Sequence, residues 1–371
     1  MIRQSLKQVI AGGDLSEGRM FKAVGEILDG KATNAQAGAF LTALRLKGET
    51  VEEITGGVRA YRERLVQVPL NSRRVNLDRD EINVEEETIL QTCDDKANGT
   101  RTFNVSTTTA LVVAAGGVCV ARHGIRTASP CFGAAQVLEN LGVNLDISLT
   151  AFQQCVETLR VGFFFGPLLK GHAARVARLR SELGMRTVFN LIAPLANPSD
   201  APAHVLGVYE PHQTEKLAHV LAHLGAGNAL VVCGEGTLDE ISVCGPTRIS
   251  ELKAGQVHTS TIRPEDFGIP TAHQEDLRGG NARQNARIIR EVLKGAPGPR
   301  RDVVVLNAAA AFVAADLDPD LESGIGRARD VIDSGKALEK LDALVRFTRA
   351  CGTFVRKELP WDEVSYAATA P

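Results

Sequence analysis

Short apolar segments that alternate with helical segments constrain the fold more than any other feature of this chain. The apolar segments are only a few residues long and rich in valine, and they lie at 118–121, 161–165, 205–208, 230–233 and 303–306. The stretches between them carry apolar residues at helical spacing, for example at 150–159, 215–224 and 281–293. Strands that alternate with helices predict an α/β domain built around a mostly parallel central sheet.

The first 68 residues show a purely helical pattern. Thr33 and Gln36 have the spacing of a capping box ahead of an apolar stripe, and Thr50 and Glu53 repeat it. A bundle this short has too little core to be stable alone, so we expect it to pack on the rest of the chain, on a second copy, or on both. We predict a small N-terminal helical bundle domain at 1–68, which part of 168–190 could join.

A large α/β domain should then occupy 69–371. It begins with a predicted linker that contains Val68, Pro69 and the charged stretch 73–87. The length of 371 residues is sufficient for two such domains.

Composition excludes several classes of protein. The net charge of −2 provides no global positive field, which argues against nucleic acid and anionic membranes as partners. No apolar run approaches the roughly 20 residues that cross a bilayer, and residues 1–14 lack the apolar centre of a signal peptide. The seven cysteines include no CxxC pair, which argues against a disulfide framework. We therefore expect a cytoplasmic protein.

A run of hydroxyl residues at 106–109 precedes the helical segment 110–115. The unpaired N–H groups and the positive dipole at a helix start suit a phosphate group, and the hydroxyls of Ser106 and Thr107 would add donors. The same residues could simply cap the helix. From this segment alone, both interpretations remain open.

Two charged segments follow predicted strands. Arg122 and Arg126 lie just after 118–121, where ligands bind in open α/β sheets, and arginine can hold a phosphate or a carboxylate with two hydrogen bonds. Asp239 and Glu240 follow the apolar segment 229–233, and adjacent carboxylates suit Mg²⁺ that also binds substrate phosphates. The alternatives are a charged loop at the sheet edge and a solvated acidic pair.

Several segments together resemble the anthranilate phosphoribosyltransferase family, over a range from about Leu6 to Leu344. The segments that carry the resemblance are GAFLTALRLKGET at 38–50, FNVST at 103–107, LENLGVN at 138–144, RSELGMRTVFNLIAPLANP at 180–198, LGVY at 206–209 and LRGG at 277–280. The resemblance implies a helical domain packed on a nucleoside-phosphorylase-like α/β domain, and a homodimer formed through the N-terminal helices. It also implies transfer of 5-phosphoribosyl from phosphoribosyl pyrophosphate to the amine of anthranilate, in tryptophan biosynthesis.

The resemblance implies a role for individual residues. Those implied to bind phosphoribosyl pyrophosphate are Thr92, Asp95, Asn104, Ser106, Thr107 and Arg122. Those implied to bind the acceptor are His123, Gly124, Ile125 and Arg180, with Arg180 pairing with the acceptor's carboxylate. Mg²⁺ would be held by Ser106, Asp239 and Glu240. No single residue is implied as a catalytic group, because metal and arginine stabilise the departing charge and the site aligns the amine.

Several positions depart from the family pattern. The segment 91–95 reads QTCDD where the family has GTGGD, and the other departures are Arg122 for lysine, Ile125 for asparagine, Phe132 and Ala134 for hydroxyl residues, Lys170 for histidine and Ala193 for glycine. The charge of Asp94 and the loss of glycines should weaken pyrophosphate binding. Two alternatives therefore stay open: a paralogue that acts on another aromatic or heterocyclic acceptor, and a non-catalytic relative that binds nucleic acid or a ligand.

Overall fold

The computed structural model describes residues 1–65, 74–79, 102–123, 133–164, 173–196, 202–235 and 239–352. Within these ranges the chain forms fourteen α-helices and seven β-strands. The first helices are α1 (Ile2–Ile10), α2 (Glu17–Leu28), α3 (Asn34–Lys47), α4 (Val51–Arg62), α5 (Val105–Ala115), α6 (Ala134–Leu141) and α7 (Leu149–Leu159). The others are α8 (Ala173–Leu183), α9 (Val188–Leu195), α10 (Gln213–His223), α11 (Ala282–Leu293), α12 (Pro299–Ala314), α13 (Leu321–Asp333) and α14 (Lys336–Ala350).

One seven-stranded sheet forms the centre of the α/β part. Its strands are β1 (Arg74–Arg79), β2 (Cys119–His123), β3 (Val161–Phe164), β4 (Ala203–Gly207), β5 (Asn228–Gly234), β6 (Thr247–Lys253) and β7 (Gln256–Ile262). They lie in the order β3-β2-β1-β4-β5-β6-β7. The strands from β3 to β5 are parallel, and β6 and β7 add an antiparallel edge. The predicted fold class, an α/β domain with a mostly parallel sheet plus N-terminal helices, is confirmed.

The central strands β4 and β5 are buried on both faces of the sheet. Val205 and Val232 belong to one hydrophobic cluster, with α5, α6 and α11 to α14. Their neighbours Leu206 and Val231 belong to a second cluster, with α1 to α4 and α8 to α10. Because successive side chains of a strand point to opposite faces, the two clusters are the two sides of one sheet. Among the described helices, none has the length and apolar character needed to span a membrane.

The secondary structure predicted from the sequence was wrong for two segments. Residues 74–79 were assigned to a linker, but they form β1, which pairs with both β2 and β4. The segment reads RVNLDR, and its three charged residues hide a central strand. Residues 303–306 were predicted as a strand, but they lie inside α12. A short apolar run looks the same in a strand and in a buried helix, and every residue from Val303 to Ala314 is buried.

The predicted capping boxes of the helical bundle are confirmed. Thr33 Oγ1 accepts from the N–H of Gln36 at the start of α3, and Thr50 Oγ1 accepts from the N–H of Glu53 at the start of α4, both at 3.2 Å. The bundle is closely packed: a Cβ at Gly56 in α4 would lie 2.3 Å from the carbonyl oxygen of Glu17 in α2. In addition, α3 packs against α8, and α4 packs against α9.

Candidate active site at the carboxyl ends of the parallel strands

The end of β2 is joined to the first turn of α5 by a hydrogen bond. Arg122 Nη1 donates to Ser106 Oγ at 3.2 Å. Arg122 is buried and Ser106 is half-buried. The structure thus brings together two residues that the sequence assigned to the phosphoribosyl pyrophosphate site, and a guanidinium group lies beside the start of a helix.

The start of α5 is suited to an anion. Its first turn contains no acidic residue, so the positive end of the helix dipole is not neutralised locally. Asn104 is the N-cap, but its side chain makes no capping hydrogen bond to the helix. Thr107 is fully buried, and its hydroxyl has no hydrogen-bond partner among the described residues. Asn104 and Ser106 are only half-buried, so their side chains are more accessible to a ligand than that of Thr107.

Asp239 and Glu240 lie in the chain that follows β5, and both are buried. Asn307 of α12 fixes the next residue, because its side chain accepts from the N–H of Ile241 and donates to its carbonyl oxygen, both at 2.9 Å. At the end of β4 the backbone approaches so closely that a Cβ at Gly207 would lie 1.6 Å from the Asp239 carbonyl oxygen. The carboxylate pair is therefore held rigidly against the end of β4.

The carboxylates and Arg122 lie at the same edge of the sheet. β1 separates β2 from β4, so those two strands are about 10 Å apart. Adjacent carboxylates are a suitable donor set for Mg²⁺, which takes its remaining ligands from phosphates and water. No group of three or more histidine, cysteine, aspartate or glutamate residues that could hold a metal occurs in the described part of the chain. As two carboxylate ligands, the pair suits a Mg²⁺ ion that takes its other ligands from a phosphorylated substrate.

Arg180 is a buried residue of α8, a helix that packs against α3 of the bundle. It is only 5% exposed and close enough to Tyr61 of α4 to act on its ionisation. Burial raises the pKa of Tyr61, and the positive charge of Arg180 opposes that rise. The Tyr61 ring lies 6.5 Å from that of Phe189 in a tilted arrangement. A buried guanidinium beside aromatic rings is suited to an aromatic carboxylate.

Other predicted residues fall outside the described residues. They are Thr92, Asp95, Gly124 and Ile125, together with the departures Cys93, Asp94, Phe132 and Lys170. His123 ends β2, and its side chain also lies outside the description. Of the remaining departures, Ala134 is the first residue of α6, and Ala193 lies in α9 beside Pro194.

Sequence reasoning missed the contact made by Asn285. Its side-chain amide donates to Asn104 Oδ1 at 3.1 Å and accepts from the N–H of Gly280 at 2.7 Å. In the sequence, Gly279 and Gly280 are recognised only as part of the LRGG segment of the family resemblance. No local signal relates Asn285 to Asn104, because 181 positions separate them.

A cavity lies between the bundle and the end of β4, and Arg45, Glu49, Asn190, Glu210 and Gln213 contribute to its lining. Arg45 Nη2 and Glu210 Oε1 form an ion pair at 2.8 Å that links α3 to the α/β part. Glu49 is 3% exposed, and neither carboxylate oxygen has a hydrogen-bond partner on another described residue. Burial accordingly raises its pKa.

A model of the glycosyl transferase family, helical bundle domain, matches residues 3–65, and a model of the a/b domain of that family matches residues 88–338. The chain is 46% identical over 348 residues to an anthranilate phosphoribosyltransferase of Geotalea uraniireducens, covering 94% of this chain and 99% of the relative.

Two solved structures have the same fold. The crystal structure of anthranilate phosphoribosyltransferase from Thermus thermophilus superposes with a TM-score of 0.81 at 37% identity, over 93% of this chain and 99% of that chain. The enzyme from Saccharomyces cerevisiae in complex with PRPP (phosphoribosyl pyrophosphate) and Mg superposes with a TM-score of 0.79 at 24% identity, over 94% and 98% of the two chains. The second similarity concerns the fold alone.

Proposed function

The chain belongs to the anthranilate phosphoribosyltransferase family of glycosyl transferases, and we propose that it transfers 5-phosphoribosyl from phosphoribosyl pyrophosphate to the amine of anthranilate, a step of tryptophan biosynthesis. The similarity extends over both the helical bundle and the α/β part, so it includes every element that lines the candidate site. The structural observation that carries the proposal is the Arg122–Ser106 pair at the start of α5, at the same sheet edge as Asp239 and Glu240.

In the reaction, the amine nitrogen forms a bond to the anomeric carbon of ribose while the bond from that carbon to pyrophosphate breaks. The amine then loses a proton, which an arylamine does readily, so the site does not require a strong base. The charge that leaves with pyrophosphate is stabilised by the Arg122 guanidinium, the Ser106 hydroxyl and the N–H groups at the start of α5.

Asp239, Glu240 and Ser106 would hold the Mg²⁺ ion. When bound, the ion neutralises charge on the pyrophosphate. The rigid attachment of Ile241 to Asn307 keeps the carboxylate pair in place for this role. Thr92, Asp95, Asn104 and Thr107 complete the proposed phosphoribosyl pyrophosphate site.

Arg180, which is buried close to Tyr61, would pair with the carboxylate of anthranilate. His123, Gly124 and Ile125 would also bind the acceptor. Ile125 favours a second candidate function, because an isoleucine in place of the family's asparagine cannot hydrogen-bond to the acceptor. In that case the same transfer would use a different aromatic or heterocyclic acceptor.

We also propose a cytoplasmic homodimer formed through the N-terminal helices. Ile10 of α1 and Leu46 of α3 are strongly exposed, and these two helices pack against each other. A contiguous apolar patch on these two helices would be a surface that a second copy could cover. The division into an N-terminal domain at 1–68 with part of 168–190, and an α/β domain at 69–371, is part of the proposal.

The test is an assay of purified protein with Mg²⁺, phosphoribosyl pyrophosphate and a panel of acceptors that includes anthranilate. We expect anthranilate fluorescence to fall as pyrophosphate is released. Pyrophosphate release with another arylamine but not with anthranilate would contradict anthranilate as the acceptor. The chain would still be a phosphoribosyltransferase. No release with any acceptor would contradict both candidate functions.

A further inference from the structure

Asn285 connects two parts of the candidate site that are far apart in the sequence. It lies in the first turn of α11 and is 3% exposed. Its Nδ2 donates to Oδ1 of Asn104 at 3.1 Å, and its Oδ1 accepts from the backbone N–H of Gly280 at 2.7 Å. Both ends of this one buried amide are therefore used in hydrogen bonds.

These two bonds determine which end of each amide faces which neighbour. A backbone N–H can only donate, so Gly280 requires the oxygen of Asn285 to face it. The nitrogen of Asn285 then faces Asn104, and it can only donate, so Asn104 must present its oxygen. The Nδ2 of Asn104 is consequently directed elsewhere, and it is a donor.

The surrounding packing holds this arrangement in place. The N–H of Phe103 donates to the carbonyl oxygen of Leu277 at 3.0 Å, and Thr102 and Arg278 form an isolated antiparallel bridge. A Cβ at Gly279 would lie 2.8 Å from Asn285 Oδ1 and 3.0 Å from Phe103 Cα. The segment 277–280 thus lies directly against 102–104, and the two bonds of Asn285 join these segments.

The orientation of Asn104 matters because of its position. It is the half-buried N-cap of α5, two residues before Ser106, and its side chain does not cap the helix. Because the Asn104 oxygen is occupied by Asn285, only its N–H₂ group remains for a ligand. An N–H donor suits an electronegative oxygen, whereas a carbonyl oxygen in the same place would repel one.

We propose that Asn285 is a positioning residue, which orients Asn104 so that its Nδ2 donates to an oxygen of phosphoribosyl pyrophosphate. The inference rests on the proposed function and adds a residue that touches no substrate itself. The polarity originates at the Gly280 N–H, passes through Asn285 and emerges at the ligand side of Asn104.

The variant N285D tests the polarity with an almost identical side-chain shape. Its carboxylate still accepts from Gly280 but turns an oxygen toward Asn104, which must then rotate its own amide. The ligand would meet an oxygen instead of an N–H₂ group. We expect the affinity for phosphoribosyl pyrophosphate with Mg²⁺, measured by calorimetric titration, to fall roughly 10- to 100-fold. The KM for anthranilate should stay unchanged.

Two controls separate orientation from added charge. N281D places the same negative charge at the N-cap of the same helix, where aspartate caps as well as asparagine, and should bind as wild type. In an N104A background, N285D should cause no further loss of affinity for phosphoribosyl pyrophosphate, because the side-chain amide that Asn285 orients is already absent. An equal loss in N281D, or a further loss in the N104A background, would overturn the inference in favour of simple repulsion.

Wild-type affinity in folded N285D would also overturn it, while the proposed function would survive. A wild-type chain that binds no phosphoribosyl pyrophosphate at all would contradict the proposed function together with the inference. Circular dichroism of each variant confirms that the chains compared are folded.

Discussion

At the residue scale, Arg122 is the side chain that most directly relates the structure to the proposed chemistry. It donates to Ser106 at the start of α5, where a guanidinium can share a phosphate with the helix N–H groups. The resemblance implies that related chains usually have lysine at this position. A lysine would keep the positive charge but would lose the planar, two-pronged donor.

Replacing Arg122 by alanine should raise the KM for phosphoribosyl pyrophosphate roughly 10- to 100-fold, because a hydrogen bond to a charged group is lost. R122K is the matched control, since it keeps the charge, and it should retain most of the affinity. Steady-state kinetics with anthranilate at saturation measures both variants. An unchanged KM in R122A would contradict the assignment of Arg122 to the substrate site.

Glu49 leads to a prediction about pH. Burial raises its pKa above the ordinary value of 4.5, so the folded chain favours the protonated carboxyl. As pH rises above about 4.5, the unfolded chain ionises freely, whereas the folded chain must bury a charge. Stability contributed by this group is therefore present at low pH and is lost as pH rises through the raised pKa.

Replacing Glu49 by glutamine should remove that loss. We expect E49Q to gain stability over wild type between about pH 4.5 and neutrality, as measured by urea unfolding at several pH values. E157Q, at an exposed position of α7, is the control and should show no such trend. A difference between E49Q and wild type that does not change with pH would refute the argument.

At the scale of elements, the capping boxes are where a local sequence pattern determines local structure. Thr50 and Glu53 exchange hydrogen bonds at the start of α4, and Glu53 also accepts from the N–H of Leu15 and from Lys47. The cap therefore connects α4 to the end of α3 and to the turn before α2.

Removing this cap has a predictable cost. We expect T50A to lower the free energy of unfolding by about 1 kcal/mol, because one N–H at the start of α4 loses its acceptor. T261A, on the exposed edge strand β7, is the comparison and should change stability by less than about 0.5 kcal/mol. Chemical denaturation measures the free energy of unfolding of both variants. Equal losses in T50A and T261A would show that the capping hydrogen bond does not stabilise the fold.

The elements also show what the sequence could and could not predict. The strands β2 to β5 were predicted because they are short, apolar and bounded by helical patterns. β1 was missed because a strand read as RVNLDR has too few apolar residues to be recognised without its neighbours. The segment 303–306 was wrong because four apolar residues fit a strand as well as the buried helix α12.

Some residues of the candidate site could likewise be predicted from the sequence, and others could not. Ser106 and Arg122 were predicted from charge and hydroxyl patterns at the ends of elements, and the structure brings them together. Asn285 could not be found, because its contact with Asn104 depends on how α11 packs against α5 rather than on any local pattern. Relations between distant side chains are set by tertiary packing, which one sequence does not display.

At the scale of the whole molecule, the bundle and the α/β part are joined by polar as well as apolar contacts. Arg45 pairs with Glu210, and Arg62 Nη2 donates to the carbonyl oxygen of Leu195 at 2.9 Å. Arg186 stacks on the ring of Tyr209 at 3.9 Å, beside the same boundary. These contacts join the bundle and the α/β part at several points along their boundary.

The exposed leucine of α3 allows a test of the proposed dimer. Leu46 is 83% exposed, and we expect L46E to shift the protein from dimer to monomer in light scattering coupled to size-exclusion chromatography. L317E, at a second exposed leucine located after α12, is the matched control and should leave the mass unchanged. A wild-type monomer, or an L46E dimer, would contradict an interface that includes this residue.

The central claim is that a phosphorylated sugar and its magnesium ion bind between the start of α5 and the carboxylate pair that follows β5. The most direct measurement is calorimetric titration of the wild-type chain and of D239N with phosphoribosyl pyrophosphate, each with and without Mg²⁺. We predict one site per chain, affinity that depends on Mg²⁺, and loss of that dependence in D239N. Absence of binding to the wild type, or equal magnesium-dependent binding by D239N, would contradict the claim.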